Sequence, residues 1–492
     1  MSQRTRAEHH EPAHPDPWVS AWALLLRKHG LLGLVDASGA DVVRHPSKGA
    51  GAPFLDGPLD PRDMHTVGIQ TQDAETEQVD VRLVDGPWNR LCHPRFTVRP
   101  IPRRGEVPTQ LDPVVLEPSD PVWPSGPIRV QLLDLPERFT TLATTTVAGQ
   151  FGPVIATDGR TVVSGLPLRA LLAEAHAIAP TATSYLNHIA VPKTYELEQL
   201  VVNAIESAVL AAGGSSLRTD VWPSGHRAAL TIRHDYDRVC PEPVLRGLLD
   251  TYANAGLAST WCFRLDNLEP AHAQMIAASG HEVSLHTTAG DEDAFLTEVQ
   301  ELERRTGVRP LGVTAHGGAG SAGYLGQHQL LWAVRAGMRY AELLGRTPLL
   351  PFQALSAADG AVTPLPLVLP NVHSSIDLTT KPDGHRLGDL QKQVPADLAQ
   401  GGHAVVMNHP DIHRDELRTL LAGLPLDHVW LATLADVAEW SWASRLGGTS
   451  SHHNGRWTHR FGSPLPHPAV LRVAGAGAGE VRVPAGETET VI

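Results

Sequence analysis

From Ala229 onward, short apolar runs alternate with longer stretches whose apolar residues recur at helical spacing. Ala229–Ile232 predicts a strand, and Pro243–Ala255 predicts a helix with proline near its start and Gly256 at its end. Ser259–Arg264 reads as a strand, Pro270–Ser279 as a helix closed by Gly280, and Glu282–Leu285 as a strand. Ala294–Thr306 reads as a helix stopped by Gly307, followed by strand Leu311–Ala315, helix Gln327–Ala336 and strand Met338–Leu343. A last group predicts strand His403–Asn408, helix Asp415–Ala422, strand Val429–Ala432 and helix Leu434–Trp440. Strands separated by helices of this length pair in parallel with the helices outside. The expected fold class is α/β, a (β/α) barrel-like domain, irregular or seven-stranded, over residues 220–445.

The pattern on either side is weaker. Residues 1–17 are polar and proline-rich and predict a disordered tail. Residues 18–215 predict an N-terminal α/β domain of unknown role, with proline-rich pieces at Arg99–Pro108 and Pro113–Pro127. Within it, Gly152–Ala156 and Thr161–Val163 around Asp158–Gly159–Arg160 predict a β-hairpin, Leu166–Ala177 a short helix, and Tyr195–Ala212 a helix stopped by Gly213–Gly214. Residues 446–492 carry two strand-like runs, Val470–Val473 and Glu480–Val483, and predict a small β appendage or tail.

Composition narrows the function classes. The chain has 492 residues and a formal net charge of −13, with no long run of Lys or Arg. No nucleic acid and no membrane is expected as a partner, because either surface selects a basic patch. Cys92, Cys240 and Cys262 are odd in number and widely spaced, which argues against a disulfide framework and a cysteine zinc site. The stretch Trp18–Leu26 is too short to span a bilayer and no export signal is read, so a cytoplasmic protein is expected.

Sites on parallel sheets collect at the carboxyl ends of the strands. Those ends carry Arg233–His234–Asp235–Tyr236–Asp237, then His286, then His316, then Asn408–His409–Pro410–Asp411. Acidic and histidine side chains thus gather at one rim. A lone Asp-x-Asp is more often a turn or a helix cap than a site. The ordered set of phrases TIRHDYDR, SGHEVSLHTT and VVMNHPDIH is more specific.

These phrases, in this order, resemble the polysaccharide deacetylase superfamily (carbohydrate esterase family four-like) over about 210 residues. AGLASTWCFRL and LERRTGVRPLGV between them resemble its connecting segments. The resemblance implies that Asp235 is the general base, Asp237 a metal ligand, His286 the first metal histidine and His409 the general acid. It also implies a second histidine four residues after His286, where this chain has Gly290, and an arginine phrase where it has Thr314–Ala315–His316–Gly317. His316 is the preferred replacement ligand; Asp291 or Asp293 reaching in from the following loop, or an empty site, are the alternatives. An aspartate, two histidines and a water make a reasonable set for a divalent metal, zinc first. The implied activity is metal-dependent removal of an acyl group from a small N-acylated sugar or metabolite, and the alternative is a catalytically inactive glycan- or partner-binding domain. Glu282 shares the strand face of His286, either in support of the site or in a buried structural pairing. His234 and His281 read as structural, and His9, His10, His452 and His453 as tail residues.

Overall fold

The computed structural model describes residues 17–35, 132–147, 149–159, 161–165, 195–316, 327–344, 350–356, 363–372, 374–375, 386–411, 414–475 and 477–492, with short strands at 66–68, 82–83, 89–91, 96–98, 114–116 and 128–130. The expected helix at Leu166–Ala177, the tail 1–16 and most of both proline-rich pieces lie outside the described residues.

A curled sheet of parallel strands organises the second half. Its elements are β1 (Ala228–Tyr236), α1 (Glu242–Ala255), β2 (Ser259–Phe263), α2 (Pro270–Ala278), β3 (Glu282–Thr287), α3 (Glu292–Thr306) and β4 (Gly312–Ala315). They continue through α4 (Gln327–Arg335), β5 (Tyr340–Ala341), β6 (Ser374–Ser375), α5 (Arg386–Ala399), β7 (His403–Asn408), α6 (Arg414–Ala422), β8 (Val429–Leu431) and α7 (Leu434–Ser441). The strand order is β5-β4-β3-β2-β1-β7-β6, with β8 beside the start of β1. Every pairing in this sheet is parallel. Beyond β5, Tyr340 bridges Val368 and Leu343–Leu344 pairs with Asn371–Val372, just before β6 meets β7. The row therefore curls round toward its own far edge, as a barrel-like sheet does.

The two faces of the sheet have different chemistry. Leu230, Ile232, Trp261, Phe263, Leu285, Val313 and Val406 face the helices in one continuous apolar core with Leu245, Tyr252, Phe295 and Leu302. Fully burying a side chain of this kind stabilises by about 1.5–3 kcal/mol. The alternate positions of the same strands turn inward and are polar: Thr231, Arg233 and Asp235 on β1, Glu282, Ser284 and His286 on β3, and Thr314 on β4, all at least partly buried. Gly312 faces this interior, and a Cβ there would fall 2.1 Å from the Tyr340 ring. That absence of a side chain lets the Tyr340 hydroxyl reach Glu282 (2.8 Å) and Ser284 (2.9 Å) across the interior.

The helix ends follow the sequence. Gly256 (φ 61) and Gly307 (φ 75) take the left-handed conformation that closes α1 and α3. Asp291 caps α3 by accepting from Ala294 N at 2.8 Å. At α7, Thr433 and Asp436 form a reciprocal capping box, and Glu282 on β3 accepts from Ala435 N at 3.0 Å.

The remaining strands are antiparallel. Leu31–Val35, Ser215–Thr219, Ala469–Gly475 and Gly479–Val483 form one four-stranded sheet, so the chain's first described strand and its last region share a layer. Beside it, Lys28 Nζ and His29 Nε2 lie 2.6 and 3.0 Å from the buried Glu198 carboxylate. Burial raises the Glu198 carboxyl, but Lys28 and His29 outweigh it and hold it well below the usual range. A six-stranded sheet contains Thr140–Val147, Gln150–Thr157 and Thr161–Ser164, the last two forming the expected hairpin.

Candidate metal centre

The rim of the parallel sheet gathers the five residues that the sequence singled out. Asp235 is the second-last residue of β1, and Asp237 follows the strand end. His286 projects from the end of β3, one strand beyond β2, and His316 follows β4 directly, with its backbone N bonded to Thr287 O at 2.9 Å. His409 follows β7, on the opposite side of β1. Parallel pairing brings these ends to one level although they are up to 174 residues apart in sequence.

The atoms converge on Asp237. His286 Nε2 lies 3.4 Å from its Oδ1, His316 Nε2 lies 3.4 Å from its Oδ2, and His409 Nε2 lies 3.1 Å from the same Oδ2. One ligand atom each from Asp237, His286 and His316 falls within 4.8 Å of the others. Ligands at zinc bond lengths of about 2.0–2.1 Å in a tetrahedron stand about 3.4 Å apart, and each histidine stands at that distance from one Asp237 oxygen. Asp237 Oδ1 is buried without a hydrogen-bond donor among the described residues, a state that costs stability unless a cation or donor meets it. The residues present therefore fit a metal.

Electrostatics point the same way. Burial raises the Asp237 carboxyl, but the His316 and His409 contacts and nearby His286 outweigh it and hold it well below the usual carboxylate range. Burial lowers the His286 imidazole to about 4 despite Asp235 and Asp237, so it is neutral at neutral pH, as a metal ligand must be.

Asp235 is held from below. Its Oδ1 lies 2.6 Å from Arg233 Nη1 and 3.5 Å from His286 Nε2. Arg233 is itself fixed by Glu342 Oε2 at 2.7 Å and by the Thr314 hydroxyl at 2.7 Å. Burial disfavours the Arg233 charge, and Asp235 and Glu342 more than compensate, so the guanidinium stays protonated. Burial, with Asp235 competing for the single guanidinium, pushes the Glu342 carboxyl up to about 7 in spite of Arg233. Arg233 on β1 thus puts a guanidinium beside Asp235, while the phrase after β4 has none. Strand alternation carried the signal, because Arg233 and Asp235 share a face. Glu342 and Arg264, whose Nη1 lies 3.2 Å from His316 Nε2, had no such signal.

The other candidates fall elsewhere. Asp291 is engaged as the α3 cap, and Asp293 is exposed in its first turn. Glu282 sits at the opposite end of β3 from His286 and joins Thr260, Tyr340 and Ala435 in a buried structural pairing. His234 Nε2 meets the Tyr252 hydroxyl at 2.6 Å, and His281 Nδ1 accepts from Ser259 N at 3.1 Å, so both support the core. Gly317, the last residue of the phrase Thr314–Ala315–His316–Gly317, lies outside the described residues. No helix among the described residues is long and apolar enough to cross a membrane.

No protein-family model matches this sequence, and no curated protein does. Solved structures do. A Mycobacterium smegmatis protein named as a polysaccharide deacetylase aligns at 21% identity and TM-score 0.35, covering 44% of this chain and 91% of its own. The chitin deacetylase of Colletotrichum lindemuthianum aligns at 14% identity and TM-score 0.29, covering 44% and 88%. A CE4 family pseudoenzyme from Bacillus anthracis aligns at 14% identity and TM-score 0.27, covering 44% and 66%. These structures resemble this chain over less than half its length and at low TM-scores, so the chemistry of the cluster stands on its own atoms.

Proposed function

We propose that this protein is a metal-dependent hydrolase that removes an acyl group from an N-acylated sugar or a related small amide. The observation that carries the reading is the convergence of Asp237, His286 and His316, with Asp235 and His409 at the same rim. A divalent ion on the triad, zinc first, would polarise the acyl carbonyl and lower the pKa of water at the site.

The protein's own groups handle the protons. Arg233 Nη1 and His286 Nε2 both flank Asp235 Oδ1, so we assign Oδ2 to take a proton from the attacking water. The water oxygen bonds to the acyl carbon, the acyl oxygen takes up negative charge, and the C–N bond breaks when the carbonyl re-forms. His409, as imidazolium, delivers a proton to the departing nitrogen. Products are a carboxylate and a free amine. A module that only binds has no use for both a base and an acid flanking a ligand triad.

Elemental analysis of protein purified without a His tag is expected to give about one zinc per chain. Acetate release is then followed over N-acetylated monosaccharides, nucleotide sugars and short chitin or peptidoglycan fragments. A metal-loaded protein that binds such glycans and releases no acetate would be a binding domain instead.

A further inference from the structure

Arg264 is the one cation whose guanidinium touches a residue of the triad among the described contacts. It follows β2 and precedes the tight turn Leu265–Asn267. Its Nη1 lies 3.2 Å from His316 Nε2, Nη2 is bonded to the exposed Asp266 carboxylate, and Nε is buried without a hydrogen-bond partner among the described residues. The turn that presents it is braced. Arg305 donates to Leu265 O at 2.9 Å and Leu268 O at 2.7 Å, and Asn267 Nδ2 donates to Asp237 O at 2.6 Å.

His316 Nε2 also lies 3.4 Å from Asp237 Oδ2, so its role turns on the tautomer; in the tautomer that keeps the Nε2 lone pair it accepts from Arg264, since a guanidinium has only donors. That lone pair is the one a cation would require, so Arg264 and an ion exclude each other on His316. Releasing Nη1 leaves a guanidinium beside a divalent charge, with Nη1 and Nε both lacking acceptors. Such a pair of cations favours an anion between them. Hydrolysis of an N-acyl bond creates one there: the acyl oxygen gains negative charge at the tetrahedral step, and the product is a carboxylate.

Resting on the hydrolase reading, we propose that Arg264 is a further catalytic residue, which yields His316 to the metal and binds the acyl oxygen as it becomes charged. Its side chain is 21% exposed and so reaches solvent at the rim.

The test measures zinc affinity by chelator competition and acetate affinity of the zinc-loaded full chain by calorimetry, for wild type, Arg264→Ala and Arg264→Lys. Arg264→Ala is expected to bind zinc about tenfold tighter, because a competing cation is gone. It should bind acetate about tenfold more weakly or worse, with Arg264→Lys between the two. Weaker or unchanged zinc binding in Arg264→Ala would make Arg264 a support for His316 and overturn the proposal, as would unchanged acetate affinity. If wild type takes no zinc and Arg264→Ala does, Arg264 blocks His316 without yielding it, and the proposal falls. If neither takes zinc, the proposal falls with the hydrolase reading. A wild type that loads zinc and binds acetate through Arg264, yet hydrolyses no amide, would remove the hydrolase reading and the catalytic role with it, and leave Arg264 as an anion-binding residue.

Discussion

Arg233 Nη1 lies 2.6 Å from Asp235 Oδ1, two residues along the same strand, with both side chains buried. Successive side chains of a strand point to opposite faces, so residues two apart lie side by side. The guanidinium also holds Glu342, and so one cation serves two buried carboxylates inside the sheet. Arg233→Met would leave both without a counter-charge. It is expected to cost about 3–5 kcal/mol in urea unfolding, the usual cost of breaking a buried pair from one side. Adding Glu342→Gln should recover part of that loss, because one orphaned carboxylate becomes neutral. A loss below about 1 kcal/mol in Arg233→Met would show that the pair does not hold this interior together.

The missing histidine at Gly290 leaves a choice of third ligand, and Asp291 and His316 separate cleanly. Asp291 accepts from Ala294 N and caps α3, whereas His316 faces Asp237. Asp291→Ala should lose about 1 kcal/mol of stability and keep its zinc affinity. His316→Ala should lose zinc affinity while its unfolding midpoint without metal changes little. Full zinc occupancy in His316→Ala would remove His316 from the set.

Glu282 ties the helices to the strands at the far end from the metal centre. It accepts from Thr260, Tyr340 and the N-terminus of α7, yet burial pushes its carboxyl up to about 7. Glu282→Leu would strand those donors and should destabilise by about 1–3 kcal/mol, measured by urea unfolding, with zinc affinity retained. Lost zinc binding at unchanged stability would contradict this structural assignment.

A buried histidine gives the pH dependence a definite sign. Burial lowers the His234 imidazole to about 3, helped by His281 and Arg233, from an ordinary value of 6.5. Between those two values the unfolded chain binds a proton that the folded chain refuses. Its contribution to stability is therefore complete above pH 6.5 and is lost as the pH falls toward 3. His234→Phe keeps a ring against Trp261 and removes this titration. Its stability difference between pH 7.5 and 4.5 should be smaller than that of wild type by about 2–3 kcal/mol. Identical slopes would show that His234 is protonated in the fold.

Much of this architecture was legible because it is locally coded. β7 spans His403–Asn408 as its apolar run implied, and α1 and α3 stop at the glycines that end their helical pattern. The stretch between β5 and β7 was not legible. Its strands Leu355–Ser356, Thr363–Pro364 and Asn371–Val372 are two residues long, too short to show a period, and α5 contains Pro395. The pairing of Leu31–Val35 with Ser215–Thr219, and of that strand with Ala469–Gly475, is non-local and leaves no mark in either segment alone. In the centre, Asp237, His286 and His316 were readable as polar residues at strand ends. Arg264 closes the predicted strand Ser259–Arg264 but, like Glu342, lies outside the phrases that marked the site, so its pairing did not show.

The most direct test of the central claim is acetate release from N-acetylated sugars by the zinc-loaded full chain, compared with its Asp235→Asn variant. Wild type should release acetate, and the variant should retain zinc and fold while losing about 10²–10⁴-fold in turnover, as removal of a general base does. Equal turnover in the two proteins, or none from zinc-loaded wild type on any N-acyl substrate of the panel, would contradict it.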